Sequence, residues 1–383
     1  MLHTSYIELN KDALNNNIQF LKKRMGSHAQ YSMVVKANAY GHGIEELLPL
    51  VEDCGVSHYS VFSLAEAMRV HEIKKESCEL MIMGFIDDDY LEWAIERDVS
   101  FFVFTIERLR QVIEVSRKMN KPARIHIELE TGMYRTGFCE DQLEEVAGLL
   151  KKHSSKLLLE GICSHMAGAE SVVNHQRILE QIDVFNELCS WFQAEGFQPR
   201  YRHLACSAGV LNYPDSVMDM ARIGISSYGF WPSEEMKMMH LKEVGFDENP
   251  LQRVLSWKSV VMSVNNVPKG KYVSYGKSFM TNRKSKIATI PVGYGYGFSR
   301  KLSNNGHVLV DGKRVRVIGS VNMNMAVLDV TDIEHIKVGD SVVLIGEQGD
   351  ESISVESFSD MNNSMNYELL TRLPHHIPRK EAP

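Results

Sequence analysis

The chain has 383 residues, 44% of them hydrophobic and 24% charged, which predicts a globular protein of about two domains. A net charge of -7 argues against a nucleic-acid backbone as the main partner. No apolar run approaches the roughly 20 residues needed to span a bilayer, so no membrane partner is expected.

Residues 1–25 alternate polar and apolar around Asn15-Asn16-Asn17 and hold no signal-peptide core. Six cysteines are dispersed without a C-x-x-C pair, the pattern of free thiols in a reducing compartment. A cytoplasmic location is expected.

Leu14, Ile18 and Leu21 recur at helical spacing over residues 10–25, with Asn10 as the cap. The apolar run 31–35 then delivers Lys36, followed by Ala37-Asn38-Ala39-Tyr40-Gly41-His42-Gly43. Such a run reads as a buried strand, and the glycine-rich turn precedes an apolar-periodic helix. A lysine at a strand tip has two readings. One is a salt-bridged strand end; the other is an amine whose pKa burial lowers enough for Schiff-base chemistry.

Further strands are expected at 58–62, 80–85, 99–105, 124–129, 157–165, 200–206 and 221–226, separated mostly by amphipathic stretches such as 106–119, 142–152 and 172–195. With 31–36 this makes eight strand–helix units, the alternation of a closed (β/α)8 TIM-type barrel. An open doubly wound sheet is disfavoured because no G-x-G-x-x-G follows the first strand.

After about residue 245 helical periodicity fades. Strand-like runs at 254–264, 286–291, 307–310, 314–318, 326–330 and 341–345 lie among the hairpin dipeptides Asn305-Gly306 and Asp311-Gly312. The expected division is a barrel at 1–245 and a mainly β domain at 246–383.

Chemistry in such a barrel sits at the C-terminal strand ends. Those ends carry Lys36, Glu128 and Glu130, His165, Cys206-Ser207, and Arg222 with Gly224-Ile225. Taken singly, a serine is a cap, a glycine a turn and an arginine an ion-pair partner. Their joint fall on one rim points to a site. His375-His376 has no partner ligands at metal spacing, so no metal is expected.

Several blocks resemble the alanine racemase family. They are 34–43 around Lys36, Thr131-Gly132-Met133-Tyr134-Arg135-Thr136-Gly137, Ala205-Cys206-Ser207-Ala208-Gly209, 219–225 around Arg222, Val273-Ser274-Tyr275-Gly276, and Pro291-Val292-Gly293-Tyr294-Gly295-Tyr296-Gly297. Their order and spacing agree with that family across nearly the whole chain.

The resemblance implies a pyridoxal 5'-phosphate enzyme that racemises a small amino acid by two bases. Lys36 would hold the cofactor and act as one base, with Tyr275 as the other. Tyr40, Ser207, Gly224 and Ile225 would hold the phosphate, and Arg222 would face the pyridine nitrogen, assisted by His165. Arg135 and Met323 would contact substrate. Because a free phenol titrates near about 10, Arg135 and His203 would help Tyr275 ionise. A head-to-tail homodimer with shared sites is implied.

Glu128 stands where many members carry a carbamylated lysine, and would supply its negative charge directly to Arg135. Cys206, Asn324 and His375 also depart from the pattern. The last two suggest that serine or a broader range accompanies alanine as substrate. A fold-related decarboxylase would need a cysteine in the β domain, yet no cysteine follows Cys206. A non-catalytic cofactor-binding protein would have no use for Tyr275.

Overall fold

A computed structural model describes residues 3–245, 249–355, 357 and 366–383. Packing divides the chain into two compact units. One comprises Asp12–Ala37 and Leu48–Gln252, the other Met1–Lys11, Asn38–Leu47 and Arg253–Pro383.

The first unit holds eight parallel strands: β2 (Gln30–Val34), β3 (His58–Val61), β4 (Glu79–Ile82), β5 (Ser100–Val103), β6 (Ala123–Glu128), β7 (Leu157–Cys163), β8 (Tyr201–His203) and β9 (Met220–Ile223). They run in the order β8-β7-β6-β5-β4-β3-β2-β9. The ends meet where Asp219 N–H donates to the Arg202 carbonyl (3.1 Å) and Arg222 N–H to that of Ala205 (3.0 Å). The expected barrel is therefore present, and strand counts and order agree. Every residue of β3, β5 and β9 is buried, as strands covered on both faces require.

The intervening helices form for local reasons. Helix Ile106–Met119 starts at Thr105, whose side chain accepts from Arg108 N–H, and buries Ile106, Leu109, Val112 and Ile113 at core-facing spacing. It ends at Asn120, which adopts the left-handed conformation at φ 51°. Helix Leu64–Ile73 opens with a reciprocal capping box between Ser63 and Glu66.

The second unit is a ten-stranded sheet. Its strands are β1 (Ser5–Leu9), β10 (Leu255–Val260), β11 (Ser263–Val267), β12 (Ser285–Ile290), β13 (His307–Val310), β14 (Lys313–Ile318), β15 (Ala326–Asp329), β16 (Ser341–Gln348), β17 (Glu351–Ile353) and β18 (Arg379–Glu381). Expected runs in this part all appear as strands. The single run 254–264 breaks into β10 and β11.

The linear division at 245/246 differs from the packing at the N-terminus. β1 pairs antiparallel with β10 from Ser5↔Ser259 to Leu9↔Leu255, and parallel with β18. Ile7 and Leu9 are fully buried, while Glu8 bridges Lys258 and Lys380. A five-residue strand carries no local mark of the partner it will find 250 residues away. Residues 246–248, where the expected boundary falls, lie outside the described residues.

Candidate active site

Strand β2 ends at Val34, two residues before the end expected from sequence, so Lys36 opens a turn instead of ending a strand. That turn is left-handed. Ala37, Asn38, Ala39 and Tyr40 have φ of 52°, 55°, 54° and 51°, and Gly41 follows at 81°. Each non-glycine residue there costs about 1–2 kcal/mol, so the turn persists only because neighbours hold it.

Ala37 N–H donates to Glu66 Oε1 (2.5 Å). The His42 ring donates from Nδ1 to the carbonyls of Ala39 and Tyr40 (both 3.1 Å). Asn38 Oδ1 accepts from Ile44 N–H (3.3 Å). Burial drops the His42 pKa to about 4, opposed by its two backbone bonds, so the ring is neutral and its single Nδ1 proton is committed to the turn.

The Lys36 amine makes no hydrogen bond or ion pair among the described residues. Burial first, then the guanidinium groups of Arg135 and Arg222, push its pKa below the usual lysine range, and Glu66 opposes them. A depressed amine is more often neutral and therefore nucleophilic at neutral pH.

Arg222, on β9, is buried and its four Nη protons all have acceptors. Nη1 donates to His203 Nδ1 and to the His203 carbonyl (3.0 Å). Nη2 donates to the Ser164 carbonyl (2.6 Å) and to His165 Nδ1 (3.4 Å). His165 therefore does lie against Arg222, and burial plus the surrounding cations bring its pKa down to about 3. His203 cannot serve as the cation expected beside Tyr275, because its Nδ1 accepts from a guanidinium that can only donate.

Arg135 rides on a loop folded back onto the end of β6. The Glu130 carboxylate accepts N–H groups from Gly132 (2.5 Å), Met133 (2.7 Å) and Tyr134 (2.7 Å). Buried Gln181 ties this loop to the next one. It donates to Thr131 Oγ1 (3.3 Å) and the His165 carbonyl (3.0 Å), and accepts from Ala167 N–H (2.8 Å).

Glu128 does not form the direct pair with Arg135 that the sequence suggests. Burial raises its carboxyl pKa, a bond with the Thr136 side chain lowers it, and Arg222 and Arg135 act as more distant charges.

Ser207 and the loop after β9 come together as expected. Ser207 Oγ accepts from the N–H of Gly224 (3.1 Å) and of Ser226 (3.5 Å), which places Ile225 between two residues held by one hydroxyl. Tyr228 donates to the Val34 carbonyl (2.8 Å) and Tyr31 bonds Ser227 (2.7 Å). The same loop is thereby fixed to the strand that leads to Lys36.

Tyr40, Tyr275 and Met323 belong to the β unit. Tyr275 is 74% exposed and Met323 56%. Their loops are joined: Ser274 Oγ donates to the Ser320 carbonyl (2.7 Å), and Gly295 N–H to that of Met323 (2.8 Å). Asn324 and His375 are exposed.

The barrel rim thus gathers Lys36, Arg135 and Arg222 around a neutral His165. The two guanidinium charges, an amine of lowered pKa and a hydroxyl–amide loop fit pyridoxal 5'-phosphate, whose phosphate and phenolic oxygen are anionic. Among the described residues no group of three or more His, Cys, Asp or Glu is placed to hold a metal ion. No described helix is long and apolar enough to cross a membrane.

Comparison with known proteins supplies the family. The profile described as "Alanine racemase, N-terminal domain" matches residues 9–232, and "Alanine racemase, C-terminal domain" matches 254–381. The chain belongs to the alanine racemase family.

It is 35% identical to the alanine racemase of Leptospira interrogans serovar copenhageni over 377 residues, 98% of this chain and 95% of that one. Alanine racemase 1 of Caldanaerobacter subterraneus subsp. tengcongensis is also 35% identical, over 97% of this chain and 93% of its own. Among solved structures, alanine racemase from Clostridium difficile 630 superposes with a TM-score of 0.89 at 27% identity, covering 99% of this chain and 96% of that chain. The Bacillus anthracis alanine racemase with bound L-Ala-P has a TM-score of 0.88 at 29% identity, covering 100% and 95%.

Within this alanine racemase fold, Glu66, Gln181, His126 and Ser164 support the site and escaped the sequence reading. The signal for His126 was a polar residue at an interior position of a strand; for Glu66 and Gln181 the partners are distant in sequence and left no local sign.

Proposed function

We propose that this protein interconverts L- and D-alanine with pyridoxal 5'-phosphate held on Lys36, and that Lys36 and Tyr275 are its two opposed acid–base groups. The observation that carries this reading is the Lys36 amine at the barrel rim, its pKa lowered by burial and by the charges of Arg135 and Arg222, in a chain of the alanine racemase family. When bound, the cofactor supplies an electron sink that acidifies the substrate Cα–H.

Ser207, the backbone around Gly224 and Ile225, and Tyr40 hold the phosphate. Arg222 faces the pyridine nitrogen through its remaining Nε–H. A guanidinium does not surrender that proton, so the ring nitrogen stays unprotonated and less charge drains away from the reacting carbon. Arg135 binds anionic oxygen of substrate and cofactor, aided by Met323. Lys36 Nζ removes or returns the Cα proton on one face, and the Tyr275 hydroxyl does so on the other.

Exposure of Tyr275 supports a shared site. Tyr275 is 74% exposed, and a second copy of this chain, head to tail, would cover it and receive it. The substrate is a small amino acid; alanine is the default, with serine as the second substrate because Asn324 removes a negative charge that the family pattern places there and the His375 imidazole can both donate and accept hydrogen bonds.

The test incubates the protein and cofactor with L-alanine and L-serine, followed by chiral chromatography. D-alanine should accumulate faster than D-serine, and Tyr275→Phe should reduce exchange at least about a hundredfold. Borohydride reduction and peptide mapping should place the cofactor on Lys36. Mixing inactive Lys36→Ala and Tyr275→Phe chains should restore activity through hybrid dimers. No D-product from any substrate, or an adduct on another lysine, overturns the reading.

A further inference from the structure

Inside the barrel, away from the groups that meet substrate, a line of polar contacts runs from Arg222 to a backbone carbonyl. Arg222 Nη1 bonds His203 Nδ1. His203 Nε2 bonds His126 Nδ1 (2.9 Å). His126 Nε2 bonds Ser100 Oγ (3.3 Å), and Ser100 donates to the Leu80 carbonyl (3.3 Å).

Both ends of this line have fixed polarity, because a guanidinium only donates and a carbonyl only accepts. His203 Nδ1 must therefore be bare, which puts its proton on Nε2 and makes it a donor to His126. The same logic bares His126 Nδ1 and puts its proton on Nε2, toward Ser100. One orientation satisfies every member, and no member can reverse without leaving two donors or two acceptors face to face.

The fold makes room for this line at a cost. His126 is on β6 and His203 on β8, so their bond must pass over β7. The β7 residue in register with His126 is Gly161. A Cβ there would lie 2.2 Å from His126 Nδ1 and 3.1 Å from His203 Nε2. Phe102 covers the pair, with ring centroids at 6.0 Å from His126 and 5.9 Å from His203.

Arg222, Arg124 and His58 are the charged or titratable groups that act on His126. Arg222, His126 and His58 act on His203. Neither ring has a carboxylate among these groups, so nothing favours the imidazolium, and burial holds both well below the usual histidine range.

We propose that His203 and His126 are positioning residues that act through this one-way chain, fixing the Arg222 guanidinium so that only its Nε–H remains for the cofactor's ring nitrogen. The catalytic consequence rests on the racemase reading above; the proton arrangement does not. Loss of the His126 acceptor strands the His203 Nε2 proton. That buried unmet donor drives the imidazole to shift toward another acceptor, which loosens the bond between its Nδ1 and Arg222 Nη1 and lets the guanidinium turn.

The test has two arms. Neutron diffraction from deuterium-exchanged crystals of the holoenzyme should find deuterium on Nε2 and none on Nδ1 of both His126 and His203. Deuterium on Nδ1 of either ring, or on both nitrogens, overturns the proposal. In solution, His126→Leu removes the acceptor and His126→Asn returns one near the Nδ1 position.

kcat should fall at least tenfold in His126→Leu with KM changed less than threefold, and recover to within threefold of wild type in His126→Asn. Both variants should lose similar thermal stability. Equal kcat in the two variants would mark His126 as packing alone and overturn the positioning role. If wild type itself fails to racemise any amino acid, the racemase reading fails, while the diffraction arm still decides the proton chain.

Discussion

Gly41 shows how much one hydrogen atom matters in the turn after Lys36. Its φ is +81°, and a Cβ there would lie 1.9 Å from the backbone oxygen of Leu370. Backbone cannot step aside as a flexible side chain can. Gly41→Ala should therefore cost about 3 kcal/mol, adding steric overlap to the left-handed penalty. Gly270 is the control: its φ is also +81°, with nothing within 4 Å of the added carbon. Gly270→Ala should cost only about 1 kcal/mol. Urea midpoints of the two variants measure the difference, and equal shifts would mean that the clash relaxes freely.

At the scale of elements, ion pairs join strands that share no sequence neighbourhood. Arg124 on β6 bonds Glu160 on β7 (2.9 Å) and Glu79 on β4 (3.0 Å), and Arg200 reaches the same two carboxylates (3.2 and 2.7 Å). The Glu160 side chain is only 5% exposed. Removing one partner of such a network leaves a buried charge short of compensation. Arg124→Ala should cost about 3 kcal/mol, with little relief from added salt because screening is weak at buried charges. The exposed pair Arg110–Glu145 should tolerate Arg110→Ala without a resolvable change. Thermal unfolding at low and high salt separates the two cases.

For the whole molecule, buried neutral histidines set the acid limit. Burial brings His42 and His58 down to about 4 and His165 to about 3. In the unfolded chain each titrates near about 6.5, so the unfolded state takes up protons that the folded state refuses. Stability is therefore full above the unfolded value and falls as pH drops from 6.5 toward 4. The melting temperature should decline across that window, well before most carboxylates protonate. His58→Gln should reduce the slope at pH 5.5 by about one proton per molecule, as read from denaturant titrations at a series of pH values. An unchanged slope would mean that His58 does not titrate on unfolding.

Eight apolar runs alternating with amphipathic helices were enough to foresee the barrel, because strand burial and helix periodicity are written in neighbouring residues. The switch to short strands among hairpin dipeptides likewise announced the β unit. Lys36, Arg135, Ser207, Arg222 and Tyr275 were legible as motif residues, since each sits in a contiguous block whose spacing serves one chemistry.

What the chain alone could not disclose depends on partners far away in sequence. β1 finds β10 only once both exist as edges. The left-handed turn after Lys36 is unfavourable by local rules and is held by Glu66 and His42. Glu128 lost its expected pairing with Arg135 to burial beside Thr136. The protonation of His203 follows from Arg222, and its bond to His126 from the missing side chain of Gly161. Local patterns determined which elements form. Close packing inside the closed barrel decided which polar groups meet, and with what polarity.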